Sequence, residues 1–211
     1  MVKNSNQIEV IFFDIGGVLL HIHPEKMIKK ISTITNNPFS IVQDSFPHDA
    51  HDAYERGRMT DYDWFNSFKT SLPKKSNLTE NKFWEAWSML LGEETDVIDI
   101  LIQLKKSYRI WLLSNTNPSH IKNEVEKNSV FPQLVDGTIY SFDVGYRKPE
   151  RDIYKIACNI ADVAPESCVF IDDLEDNIRG ANNVGLHGIH YRNTPDLKTD
   201  LKSLKIIILA K

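Results

Sequence analysis

The 211-residue chain has only two cysteines, no excess of basic residues, no long apolar run and no low-complexity tract. Each absence closes a class of protein. Cys158 and Cys168 have no His or Cys partner at metal-ligand spacing, so neither a disulfide framework nor a zinc site is expected. Both lie in apolar surroundings and read as small buried hydrophobes in a reduced compartment. Lysine and arginine number 25 against 29 aspartates and glutamates, with no long block of either sign. A face for nucleic acid or for an anionic membrane is therefore not expected. The longest apolar runs, Val10–Phe13 and 206–210, fall far short of the ~18 residues of a membrane span. Residues 1–7 lack the apolar stretch and small-residue cleavage site of a signal peptide, so the chain is read as soluble and cytoplasmic.

What is present is a globular composition, 41% hydrophobic, 26% charged and 10% aromatic. It suits one large domain or a domain carrying an insert. Ile8-Glu9-Val10-Ile11-Phe12-Phe13 is a short β-rich run closed by Asp14-Ile15-Gly16-Gly17, the pattern of a strand buried on both faces. Residues 108–113, 137–140, 168–171 and 188–191 repeat the design. Helical stripes lie between them, Val97, Ile98, Leu101 and Leu104 in one, and Ile153, Tyr154, Ala157 and Ile160 in another. Strands alternating with helices predict an α/β, doubly wound, Rossmann-like parallel sheet. The stretch from Leu20 to Lys106 breaks the rhythm. It shows no convincing strand, but it carries a capping-box pattern, Thr60-Asp61-Tyr62-Asp63, followed by Trp64, Phe65 and Phe68. We read it as a mostly helical insert. This gives a core of residues 1–20 and 100–211, with a helical cap at 21–99.

In open α/β sheets, ligands bind at the carboxyl ends of the strands. Those ends carry Asp14 and Gly16-Gly17, then Ser114-Asn115-Thr116-Asn117, then Arg147-Lys148-Pro149, then Asp172-Asp173 with Asn177. Carboxylates, a hydroxyl with an amide, and a lysine thus converge on one edge. That set suits phosphoryl transfer to an aspartate. An anionic nucleophile meets an anionic phosphate only where fixed positive charge offsets their repulsion, and a divalent cation on hard oxygen ligands supplies much of it.

Four segments, Phe12-Phe13-Asp14-Ile15-Gly16-Gly17-Val18-Leu19, Leu112-Leu113-Ser114-Asn115-Thr116, Arg147-Lys148-Pro149-Glu150 and Phe170-Ile171-Asp172-Asp173, resemble the ordered motifs of the haloacid dehalogenase superfamily. The insert falls where that superfamily places its cap. Within it the chain looks most similar to sugar-1-phosphate phosphatases, with the phosphatase domain of epoxide hydrolases a near neighbour. The resemblance implies a magnesium-dependent phosphatase of small phosphorylated metabolites, working as a monomer or homodimer. Asp14 would be the nucleophile that forms an aspartyl-phosphate. Asp14, Asp173 and the carbonyl of Gly16 would hold Mg2+. Ser114 and Asn115 would bind the phosphoryl oxygens, and Lys148 would neutralise charge in the transition state. Asp172 and Asn177 would orient these groups. Dehalogenases of the superfamily carry serine and asparagine where this chain has Asp172-Asp173, and mutases rely on an acid–base aspartate that is missing here.

That aspartate normally stands two residues after the nucleophile, and here the position is Gly16. Loss of a general acid–base typically costs ~10²–10⁴ in rate. The expected consequence is a preference for leaving groups that need little protonation, such as anomeric, aryl or acyl phosphates. The alternative is a low-turnover phosphate-binding or interaction module. Among the histidines, His120 is a candidate acid–base or substrate group or else a helix-start residue. His48 and His51 have metal-like spacing on what reads as a polar helix face. Tyr54, Arg56 and Arg58 are candidates to face substrate from the cap, while Trp64, Phe68, Trp84 and Trp87 read as cap core.

Overall fold

The structure, a computed structural model, describes residues 7–73 and 77–207. Its strands in chain order are β1 (Val10–Phe13), β2 (Leu20–Ile22), β3 (Leu91–Glu94), β4 (Arg109–Ser114), β5 (Gly137–Tyr140), β6 (Cys168–Asp172) and β7 (His187–His190). Five of them form one parallel sheet in the order β5-β4-β1-β6-β7. The chain winds outward from β1 through β4 to β5, then returns to β6 on the other side. The direction of winding therefore reverses around β1, which opens a crevice at the carboxyl ends of β1 and its neighbours.

The sheet is parallel and central because its inner strands, β4, β1 and β6, are apolar on both faces. Ile11 and Phe13 enter one core cluster with Ile110, Leu112, Val169 and Ile171. Val10 and Phe12 enter the opposite one with Leu113, Cys168 and Phe170. This two-residue alternation places helices on both sides of the sheet, as a doubly wound fold requires. Helix Arg151–Ile160 covers one face through Ile153, Tyr154 and Ala157. Ile160, the fourth member of the expected stripe, is instead exposed at the helix end. The two cysteines are free and buried, as small hydrophobes would be.

Between β2 and β3 run α1 (Pro24–Thr35), α2 (Phe39–Asp44), α3 (His48–Glu55), α4 (Asp61–Ser71) and α5 (Glu80–Ser88). They share a third, separate cluster that includes Met27, Trp64, Phe68, Phe83 and Trp87. Trp64 packs edge-on to Trp87 and stacks on Tyr54. Thr60 starts α4 with the full capping box, its hydroxyl accepting from the Asp63 amide at 3.1 Å. The expectation of no strand in this stretch is corrected by β2 and β3, which pair antiparallel with an irregular register at the two ends of the helical run. They escape a pattern search because they are three and four residues long and carry His21, Glu93 and Glu94. After β3, α6 (Val97–Leu104) returns to the sheet through Val97, Leu101 and Leu104. No helix among the described residues is long and apolar enough to cross a membrane.

Candidate active site

Asp14 follows β1 directly, where its amide donates to Ile171 O at 2.9 Å, so the strand ladder itself fixes the residue. Its carboxylate accepts from the Ile15 amide at 2.7 Å. The chain then closes a tight loop, with the Leu19 and Leu20 amides both donating to Ile15 O at 2.9 Å. Gly17 is required in that loop. Its φ is +77°, and a Cβ there would fall 2.4 Å from Asp173 Oδ2. Gly16 is under no such constraint, since a Cβ there would meet only Ile22 Cγ2, at 3.3 Å.

Lys148 is buried between two carboxylates, its ammonium 2.9 Å from Asp14 Oδ1 and 2.6 Å from Asp172 Oδ2. Burial alone would lower the Lys148 pKa, but Asp14 and Asp172 outweigh it and hold it above the usual lysine value. Asp14 moves the opposite way from an ordinary carboxylate expectation for an ion pair. Burial pushes it up, Lys148 opposes this, and the like charge of Asp172 adds to the rise. Asp172 is saturated, accepting also from the Leu174 amide at 2.8 Å and from Asn177 Nδ2 at 3.0 Å. Asn115 spends its side chain on the main chain of Lys148, accepting from the Lys148 amide at 2.8 Å and donating to its carbonyl at 2.9 Å. These paired bonds set where the lysine stem begins. Ser114, at the end of β4, and Asp173, after β6, line the same cleft.

The carboxylates of Asp14, Asp172 and Asp173 have ligand atoms within 4.8 Å of one another. Three carboxylates share one ammonium there, so negative charge is in surplus. Burial raises the Asp173 pKa, with the like charge of Asp172 adding. With Asp172 committed to Lys148, Asp14 and Asp173 are the side chains with capacity for a hard divalent cation, and an oxygen-only donor set suits magnesium. No other group of three or more candidate ligands assembles among the described residues.

The cleft, of about 280 Å³, is roofed by the helical segment. His51 and Glu55 of α3 line it, while His48 is exposed. Of the other residues with a candidate role facing substrate, Tyr54 is buried and donates to Asp61 at 2.7 Å. Arg58 is exposed. Arg56 pairs with Asp52 at 2.7 Å and with Glu150 at 3.0 Å. Trp64, Phe68 and Trp87 are buried in the helical cluster and Trp84 is partly buried against it. Glu55, which the sequence reading did not single out, and Arg147, which it named only as part of the lysine motif, complete the roof. Arg147 reaches across to Asp52 and Glu55 of α3, each at 2.6 Å. A charged pair beside the lysine motif was the available signal, but nothing in the sequence tells which carboxylate meets Arg147.

His120 lies where the two parts meet. Its ring stacks on Trp87 at 4.9 Å between centroids, and Nε2 lies 3.4 Å from Trp87 O. Nδ1 faces the Asn117 amide nitrogen at 3.1 Å. An amide nitrogen donates and a carbonyl accepts, so this arrangement fits the neutral ring with its proton on Nε2. Burial pushes the His120 pKa down to about 4. A histidine held neutral with both nitrogens engaged is a bridge between helix α5 and the loop after β4, not a ready proton donor.

The family model for haloacid dehalogenase-like hydrolases matches residues 8–185, and the chain belongs to that family. It is therefore a hydrolase. Over 208 residues it is 23% identical to the D-ribitol-5-phosphate phosphatase of Bacteroides thetaiotaomicron, covering 95% of this chain and 97% of that protein. The human N-acylneuraminate-9-phosphatase is 30% identical over 106 residues, 50% of this chain and 42% of that one. Among solved structures, a family enzyme from Bacteroides thetaiotaomicron in complex with magnesium and inorganic phosphate superposes with a TM-score of 0.79. It is 26% identical and the match covers 88% of this chain and 94% of that one. These named relatives are enzymes, and the binding-module alternative finds no support among them.

Two outcomes follow from this geometry. The unfolded value of a histidine is 6.5, and His120 sits near 4 when folded. Between those pH values the unfolded chain takes up a proton that the folded chain refuses, so stability falls as pH falls through the window and levels below it. Urea titrations should show this slope, with His120 responsible for about 3 kcal/mol at ~1.4 kcal/mol per unit. His51, also lowered to about 4 by burial, adds to it. The substitution His120→Gln should therefore flatten the slope without abolishing it. Second, Gly17→Ala should cost more than ~1 kcal/mol and loosen Asp173. Gly16→Ala, measured beside it, should cost clearly less.

Proposed function

We propose that this hydrolase is a phosphomonoesterase of small phosphorylated metabolites, sugar phosphates foremost, with Asp14 as the nucleophile. The observation that carries the reading is the buried Asp14–Lys148–Asp172 chain opening on a cleft that also holds Ser114, Asn115 and Asp173. The helical segment 21–99 acts in this reading as a cap that excludes water and selects the leaving group. The phosphatase names of the relatives and the phosphate held by the solved neighbour support it.

In this scheme Asp14 attacks phosphorus, the ester P–O bond breaks, and an aspartyl-phosphate forms. Water then cleaves that intermediate and restores the carboxylate. Lys148, kept protonated by its two carboxylates, balances charge on Asp14 and on the phosphoryl oxygens. Ser114 and the Asn115 backbone hold those oxygens, and Asn115 and Asp172 keep Lys148 on target. Asp14, Asp173 and the Gly16 carbonyl would hold magnesium, which would supply the remaining positive charge needed beside the phosphate. Gly16 offers no proton, so leaving groups of low basicity, anomeric and aryl phosphates, are the favoured substrates.

Phosphate release from 4-nitrophenyl phosphate and from a panel of sugar phosphates should require magnesium and stop with chelator. Asp14→Asn should lower kcat by ~10⁴-fold or more. Magnesium-independent release, or activity surviving in Asp14→Asn, would refute the scheme. A further variant tests the missing acid. In Gly16→Asp the Cβ presses on Ile22 Cγ2 at 3.3 Å, so that side chain must shift by a few tenths of an ångström, and the variant should raise kcat on simple alkyl phosphates by ~10²-fold while changing aryl phosphates little. No gain on alkyl phosphates would count against leaving-group selection.

A further inference from the structure

Glu55 is the C-terminal residue of α3, and its side chain is nine-tenths buried while lining the Asp14 cleft. A carboxylate is costly to bury unless its oxygens receive hydrogen bonds. Here Oε2 is held by the Arg147 guanidinium, 2.6 Å away. The other oxygen, Oε1, has His51 Nε2 at 3.6 Å, beyond hydrogen-bond distance. Arg147 Nε is likewise buried without a partner. Oε1 is thus left without a hydrogen bond on the roof of the cleft, beside the guanidinium that holds Oε2.

The backbone holds this pair in place from both sides. Gly57, just past α3, packs so closely that a Cβ would fall 2.2 Å from Phe142 O. Arg56 bonds Glu150, and Arg147 bonds Asp52, so two arginines cross the same gap in opposite directions. Glu55 is therefore fixed relative to Lys148 and, through it, to Asp14. These contacts tie the C-terminal end of α3 to the segment that carries Lys148, as positioning of a recognition group needs.

We propose that Glu55, with Arg147 beside it, is a specificity-determining element that reads a hydroxyl of the leaving group. The inference rests on the phosphomonoesterase reading above. A hydroxyl is both donor and acceptor, so it can donate to the Glu55 carboxylate and accept from Arg147. The pair carries no spare cation, because Arg147 is shared between Asp52 and Glu55. A second phosphate or a carboxylate on the substrate is thereby disfavoured, and a neutral polyhydroxylated group is favoured. Size points the same way. At about 280 Å³ the cleft lies below the ~300–1,000 Å³ usual for drug-sized ligands, which leaves room for one small sugar beside the phosphate.

The test compares α-glucose 1-phosphate, its monodeoxy analogues and 4-nitrophenyl phosphate, each with the unmodified enzyme and with Glu55→Gln. In the unmodified enzyme at least one monodeoxy analogue should lose 10-fold or more in kcat/KM against its parent. In Glu55→Gln that difference should collapse to within about 3-fold, while 4-nitrophenyl phosphate stays within about 3-fold of the unmodified enzyme, the pattern of a lost pairwise coupling. Equal losses on sugar and aryl substrates would show that Glu55 only supports the fold, and would overturn the proposal. So would a flat response to hydroxyl removal in the unmodified enzyme, a result that does not depend on the variant folding. Turnover of 4-nitrophenyl phosphate with no turnover of sugar phosphates overturns this proposal and leaves the phosphatase reading standing. Silence on every substrate overturns the phosphatase reading first.

Discussion

The site depends on one buried ammonium. Asp14, Asp172 and Asp173 crowd the carboxyl ends of β1 and β6, and like charges so close together in a desolvated crevice repel strongly. Lys148 relieves that repulsion by touching Asp14 and Asp172 at once. The pair bonds from Asn115 to the Lys148 main chain and the bonds from Asn177 and Leu174 to Asp172 keep the contact in register. Buried charges add little net stability when paired and cost much when one partner is removed. The ion-pair chain is therefore a weak prop for the fold, and the stability resides in the apolar layers on either side of the sheet.

A second set of charges governs the seam between the sheet and the helical roof. Arg147 and Arg56 cross it in opposite directions to Asp52, Glu55 and Glu150. His120 bridges it as a neutral, stacked ring. The two devices respond differently to conditions. Ion pairs that are partly open to solvent weaken with salt, whereas the His120 bridge weakens with acid. Arg147, next to the buried Lys148, is itself a seam residue, so the seam joins the roof to the segment that carries the lysine.

Most of the sheet and of the site edge was legible in the sequence because burial on two faces leaves an unmistakable run of apolar residues. Val10–Phe13 and Cys168–Asp172 are fully buried, and the chemistry stands directly after each. The capping box at Thr60 was legible because it is a local reciprocal bond. β2 and β3 were not, since strands of three and four residues with histidine and glutamate among them carry no periodic signal. The inward position of Glu55 was invisible for a different reason. In the sequence it stands in a charged stretch with Asp52 and Arg56, and only the fold shows that it is turned inward onto Arg147. His120 could be located near the site from its place after Ser114, but its neutral, bridging state follows only from Trp87 and Asn117 closing around it.

Gly16 and Gly17 look equivalent as a pair and are opposite in physical meaning. Gly17 is imposed by backbone conformation and by the approach of Asp173, so no selection for chemistry is needed to account for it. Gly16 has neither a positive φ nor a close backbone neighbour, so the loop would accept a side chain there. In the reading proposed above, its bareness follows from the reaction. A carboxylate at this point would add a further negative charge beside Asp14 and Asp173, where three carboxylates already share one lysine. A substrate whose leaving group departs without protonation makes that addition unnecessary. In the reading proposed above, recognition then passes to the roof, to Glu55 and Arg147 and to hydroxyl contacts made away from the reacting bond.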